Sequence, residues 1–282
     1  MSETTKYKQI IAFLSVAVIF LLISNFSALR KLDMIDRTPT SVPVIKDESP
    51  TVPSNIIEAE KVVGTIVLII DDFGYRNDAV SDGFLELDVP ITCAIIPGHA
   101  QSRKFAEKAT AAGHEVIIHM PMESTVETLG EDEFKIKTGM TSEEIEWRMG
   151  EVIKEIPEAI GMNNHQGSKA TTDGKVMGVV ASVLKRHNKY FLDSRTVSTT
   201  VGEKTMRSIG VPTGRRHVFL DNDSSIVNIS TQLNKLVSMA KKRGMAVGIG
   251  HAKPNTLKVL KGEIPNLLAA GFQFEFASRV VN

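Results

Sequence analysis

The feature that most constrains this chain is a series of short apolar runs after residue 64, each followed at once by polar residues and then by a helical pattern. The runs predict strands over Thr65–Ile70, Ile91–Ile96, Glu115–Ile118, Ala159–Met162, Tyr190–Leu192, Ala246–Ile249 and Phe272–Phe276, with Val218–Leu220 a weaker eighth. Most barely alternate, as strands do when both faces are buried. Between them, Ser102–Ala112 is amphipathic and stops at Gly113, and Thr141-Ser-Glu-Glu144 is a capping-box pattern opening a helix to about Ile156. Asp173 is placed to cap a helix running to His187, and Ser224–Arg243 is a long helical pattern that stops at Gly244. Repeated strand–helix units predict a parallel sheet. Seven or eight of them in roughly 220 residues predict an α/β domain built as a small β/α barrel, with an open doubly wound sheet as the second architecture.

Ahead of this domain, Ile10–Leu29 is an uncharged run of about twenty residues, which at roughly 1.5 Å each spans about 30 Å, the hydrocarbon thickness of a bilayer. A cleaved signal peptide would carry a shorter apolar region and a small-x-small site, whereas only Ser27 and Ala28 are small here. The reading is therefore a tail over 1–9, a transmembrane signal-anchor over 10–29, and a flexible linker over 30–63, rich in Pro, Ser and Thr, that holds Pro39, Pro43, Pro50 and Pro53. Lys6 and Lys8 precede the run while Arg30, Lys31 and Arg37 follow it, so the charge count leans slightly against an inside N-terminus. A short tail before a first helix nevertheless stays in the cytoplasm as a rule, and long domains translocate regardless of charge. The expectation is a single-pass inner-membrane protein with residues 64–282 outside the cytoplasm.

Equal counts of basic and acidic residues, 33 each, give no electrostatic case for nucleic acid. A single cysteine, Cys93, excludes an internal disulfide framework and a cysteine-rich zinc site, but seven histidines leave a His/carboxylate metal site open.

The polar residues after each predicted strand carry the functional signal. Asp71 and Asp72 follow the first; His119 and then Glu123 follow the third. Asn163, Asn164 and His165 follow the fourth, Asp193, Ser194 and Arg195 the fifth, and Gly250 and His251 follow Ala246–Ile249. Taken singly, His119 also reads as a satisfied core histidine and Asp193 as a cap; together, acids, amides and imidazoles from five strands collect at the sheet's carboxyl end, where parallel β/α proteins do chemistry. Two adjacent carboxylates repel unless a proton or cation lies between them, so one Asp reads as a ligand and its neighbour as a base. His99, His114, His187 and His217 read as ordinary surface histidines. No cysteine joins the cluster, and no serine stands at a strand-to-helix elbow, which argues against acyl-enzyme chemistry. Asp plus two His with open positions suits zinc or a related divalent ion and metal-assisted hydrolysis of an amide or ester.

The segments IIDDFGYR, GHEVIIHMPME, GMNNHQGS, YFLDS and VGIGHAKP, in this order over about Thr65 to Ser278, resemble the divergent polysaccharide deacetylase family. The resemblance implies a distorted (β/α) barrel of the carbohydrate-esterase type, a divalent metal, usually Zn2+, and removal of N- or O-acetyl groups from an envelope or exopolysaccharide glycan. By motif it makes Asp71 the catalytic base, Asp72 and His119 metal ligands, and His251 the catalytic acid. Where ordinary deacetylases place a second His four positions after the first, this chain has Glu123, so His165 is the candidate third ligand and Glu123 its rival. Asn163, Asn164, Asp193 and Arg195 are expected around these groups or against substrate, with Asp193 a candidate to orient His251 or another imidazole. The R-x-P-Y segment of the family has no clear match, and aromatics are few. A tethered glycan-binding or assembly protein that keeps the fold without turnover is the second class.

Overall fold

The computed structural model describes residues 62–127 and 130–282. The apolar run 10–29 and nearly all of the linker 30–63 lie outside these residues, and among the described ones no helix is long and apolar enough to cross a membrane. The elements run β1 (Gly64–Phe73), α1 (Ala79–Leu85), β2 (Thr92–Ile95), α2 (Ser102–Ala111), β3 (Glu115–Met122), α3 (Ser142–Glu155), β4 (Gly161–Gln166), α4 (Gly174–Arg186), β5 (Tyr190–Asp193), α5 (Gly202–Ile209), β6 (Thr213–Arg215), β7 (Val218–Phe219), α6 (Ile226–Arg243), β8 (Met245–His251), α7 (Pro254–Ala269) and β9 (Phe272–Glu275). The two sequence-predicted caps are built: Thr141 and Glu144 form a reciprocal capping box on α3, and Asp173 accepts from the Lys175 and Val176 amides at the start of α4.

Every ladder is parallel, in the order β6-β5-β4-β3-β2-β1-β8-β7, with β9 beside the first half of β1. The sheet curls into a half-barrel. Its outer edges, β6 and β7, are successive pieces of one extended stretch. Thr213–Arg215 pairs with β5, the Arg216 amide still donates to the Asp193 carbonyl, and the His217 amide then donates to Val247 of β8. This stretch spans the seam in place of a further ladder, and β6 was not predicted: Thr-Gly-Arg has no apolar signature.

Period-two alternation sorts the side chains into two cores. On β1, Ile66, Leu68 and Ile70 face the helices, while Val67 and Ile69 face inward with Ile117, Leu192, Val247 and Ile249. Gly161 faces the ring of Tyr190, which a Cβ there would meet at 2.5 Å; the Tyr190 hydroxyl in turn donates to Glu115. The inner core fills the lower half of the curl. The inward positions above it are polar, and they form the site.

Candidate active site

The site residues lie in the last turns of the strands rather than after them. Predicted strands ended at Ile70, Ile118, Met162 and Ile249, but the ladders continue: Asp71 pairs with His251, His119 with Asn163, and Pro121 with His165. Backbone pairing does not require apolar side chains, so polarity ended the prediction and not the strand. By parity Asp71 continues the inward face of Val67 and Ile69, His119 that of Ile117, and His251 that of Val247 and Ile249.

Asp72 would point outward on a regular strand. A register shift between Ile70 and Phe73, with Asp72 at φ 68°, turns it back toward the cavity. A non-glycine residue in that region costs on the order of 1–3 kcal/mol. Phe73 offsets it. Its ring is fully buried, stacked on Phe105 at 4.3 Å and edge-on to Phe84 at 5.8 Å, contacts of about 0.5–1.5 kcal/mol each beyond burial itself. Gly74 follows at φ 109°, where a Cβ would meet the Ile96 carbonyl at 2.8 Å. Each letter of Asp-Asp-Phe-Gly thus has a local reason.

Asp72, His119 and His165 place one ligand atom each within 4.8 Å of one another. Asp72 Oδ1 lies 3.5 Å from His119 Nε2 and 3.4 Å from His165 Nδ1, yet it is buried without a hydrogen-bond partner. Two imidazole nitrogens 3.0 Å apart and an orphaned carboxylate oxygen fit a divalent cation taking N and O ligands. Asn163 sets the tautomer. Its amide NH2 donates to Asp71 Oδ1 at 2.8 Å, so its oxygen, 2.6 Å from His119 Nδ1, accepts the imidazole N–H and leaves Nε2 as the inward lone pair. Beyond His165, Nε2 faces Gln166 at 3.2 Å and Glu131 at 3.9 Å; Glu131 also accepts from the Tyr75 hydroxyl.

Electrostatics separates the two acids. Burial raises Asp71 above the ordinary carboxylate range, against the lowering influence of His119, His251 and Asn163. Burial also opposes ionisation of Asp72, but the His119 and His165 imidazoles overcome it and hold that carboxyl far below its usual value. For His119, burial disfavours the charged form; Asp71 and Asp72 outweigh it and push the imidazole up to about 9. Ligation needs the neutral form, so a cation entering here displaces that proton.

His251 is held by a residue that the sequence reading did not include. Asp221 accepts from the His251 backbone amide and from Nδ1, both at 2.8 Å, and from Thr256 at 2.6 Å, leaving His251 Nε2 facing the site 3.8 Å from Asp72 Oδ2. Burial lowers the His251 pKa, and Asp221 and Asp72 raise it by more. Asp221 directly follows the weak eighth strand Val218–Leu220, so the signal that found the other strand-end residues was present there.

Other expected residues are placed differently. Asp193, expected beside an imidazole, faces α5 and accepts from Arg195 N, Thr200 Oγ1 and Glu203 N, because the residue after inward Leu192 points outward. Glu123 accepts from Thr138 N and Oγ1 and from Lys169, away from the ligand trio. His119 and Glu123 are joined by extended chain, and at about 3.3 Å per residue a spacing of four spans about 13 Å, too far to share an ion. Asn164 ties β4 to β5, accepting from Ser194 N and donating to the Gln166 carbonyl. Arg195 is fastened through its backbone; Arg216 is the arginine that lines the cavity. That cavity, about 360 Å3, is bordered by Asp71, His119, His165 and His251. His114 and His217 are half-buried rather than surface groups, bonded to the Leu85 carbonyl and the Val247 amide.

Comparison with known proteins gives the family and the fold. The model of the family described as divergent polysaccharide deacetylase matches residues 68–281, and the chain belongs to that family. It is 35% identical over 206 residues to the uncharacterized Escherichia coli protein YibQ, covering 73% of this chain and 64% of YibQ. An uncharacterized Haemophilus influenzae protein is 33% identical over 204 residues, covering 72% of this chain and 71% of its own. Among solved structures, an uncharacterized Agrobacterium tumefaciens protein superposes with TM-score 0.73 at 17% identity, over 77% of this chain and 89% of that one. The catalytic domain of peptidoglycan N-acetylglucosamine deacetylase from Eubacterium rectale superposes with TM-score 0.52 at 14% identity, over 75% and 87%, a likeness of fold.

Two outcomes are expected. In elemental analysis of purified variants, His165→Ala loses bound metal while Glu123→Ala keeps it; the reverse pattern would exchange their roles. In an NMR titration, Asp221→Asn lowers the His251 pKa, because removing the charge that favours the imidazolium leaves burial to disfavour it. An unchanged or higher value would show that Asp221 does not govern this histidine.

Proposed function

We propose that this chain is a membrane-anchored, metal-dependent deacetylase acting on an N- or O-acetylated glycan of the cell envelope or an exopolysaccharide. The observation that carries this reading is the gathering of one raised buried carboxylate, one imidazole backed by an acid, and a three-ligand site around a single cavity. Family membership and the fold shared with a peptidoglycan deacetylase support an acetylated sugar as substrate.

Asp72, His119 and His165 would hold the metal, with Zn2+ the ion best suited to this N/O set; when bound it supplies a positive charge that polarises the acyl carbonyl and acidifies water. Asp71, buried and kept in place by Asn163, takes the proton of the attacking water. His251, with Asp221 on Nδ1, donates from Nε2 to the departing nitrogen or oxygen as its bond to the acyl carbon breaks. The products are acetate and the free amino or hydroxyl sugar, and Asp71 and His251 together are proton-neutral over the turnover.

Metal-loaded protein should release acetate from one or more of a panel of acetylated glycans and stop when chelator strips it. Asp71→Asn should lose about 100-fold or more in turnover with metal content near that of the parent. Full metal retention with no acetate from any glycan would favour the binding-protein reading, and loss of metal in Asp71→Asn would mean that Asp71 and Asp72 exchange roles.

The apolar run 10–29 supports placement of the domain outside the cytoplasm. Protease added to spheroplasts should digest it while a cytoplasmic marker survives; protection of both would reverse the orientation.

A further inference from the structure

One charge in the cavity takes no part in the chemistry above. Arg216 lies in the step between β6 and β7, half-buried on the cavity wall. Its Nε donates to the Ser194 carbonyl at 2.6 Å and its Nη2 to the Arg195 carbonyl at 2.8 Å, and the guanidinium lies 4.7 Å over the Phe219 ring. Among the described residues no carboxylate comes within ion-pairing distance of it, and Nη1 makes no hydrogen bond. The two carboxylates whose charge reaches it, Asp71 and Asp193, are hydrogen-bonded elsewhere: Asp71 to Asn163, and Asp193 to Arg195 N, Thr200 and Glu203 N.

Neutral carbonyls and an aromatic face orient a guanidinium but do not neutralise it, and burial outweighs the more distant charges of Asp71 and Asp193, so a partly desolvated cation with no carboxylate in contact is costly to maintain. Beside it the Ser194 hydroxyl, on a residue 5% exposed, has no hydrogen-bond partner. A fixed guanidinium with an unused edge and an unsatisfied hydroxyl, both on residues lining one cavity, suit an oxyanion group of the ligand. Lysine could not keep both carbonyl bonds and still present a planar edge.

We propose that Arg216 and Ser194 form an anion subsite, so that the preferred substrate is an acylated sugar carrying a carboxylate or phosphate near its acyl group. The assignment rests on the deacetylase reading of the cavity and adds the charge class of its substrate.

The test is calorimetric binding to the purified, zinc-loaded full-length protein, with N-acetylglucosamine, N-acetylmuramic acid (the same sugar with a carboxylate) and N-acetylglucosamine 6-phosphate as probes. One or both acidic sugars should bind about tenfold or more tightly than the neutral one, and which does so separates carboxylate from phosphate. Arg216→Gln should bind the acidic sugars no more tightly than it binds N-acetylglucosamine, and Arg216→Lys should recover only part of the difference. Metal content and melting temperature of both variants report that the fold is kept. Equal affinities in the parent, no binding of any probe, or an equal loss of neutral and acidic sugars in the variants would overturn the subsite. Charge selectivity without acetate release would keep the subsite and fail the hydrolase; acetate release without charge selectivity would do the reverse.

Discussion

Two neighbouring carboxylates held at the buried end of one strand are the constraint on which this site depends. Side by side in a low-dielectric cavity, Asp71 and Asp72 cannot both stay ionised without opposite charge beside them. The local backbone separates them: Asp71 keeps the inward parity of its strand, and Asp72 is brought round by a left-handed residue that Phe73 anchors in the outer core. That strain is stored where it turns the Asp72 carboxylate toward His119 and His165.

Around the pair, His119 and His251 each have Nδ1 fixed by an oxygen acceptor and Nε2 turned toward the site. Asn163 occupies His119 Nδ1, and Asp221 occupies His251 Nδ1, so the inward nitrogens are defined by their partners rather than by rotation of free rings. Asn163 touches both Asp71 and His119, which couples the orientation of the carboxylate to that of the imidazole. Asp71 and His251 are therefore distinguished by surroundings: burial raises a carboxylate on one side, and a carboxylate raises an imidazole on the other.

The stretch from Thr213 to Phe219 gives the curled sheet a functional seam. It leaves β5 and joins β8 within two residues, and the side chains it carries there cannot continue the inner core. Arg216 consequently lies over the cavity, held by the Ser194 and Arg195 carbonyls just after β5, while the chain runs on directly to Asp221 beneath His251.

What the sequence determined by itself was local. Apolar runs marked the strands, Thr141 and Asp173 marked helix starts, and polar residues at successive strand ends named Asp71, Asp72, His119, His165 and His251 before any fold was in view. All of these follow from periodicity or capping, which act within a few residues. Only the tertiary structure decided that the strands run on beneath those polar residues, that Asp221 rather than Asp193 meets His251, that Arg216 rather than Arg195 lines the cavity, and that Glu123 bonds to Thr138 and Lys169. Each of these outcomes depends on register and curl. A one-residue change of parity turns a side chain from cavity to helix layer, and which distant strand lies opposite is set by the closure of the whole sheet, a property that no short window of sequence contains.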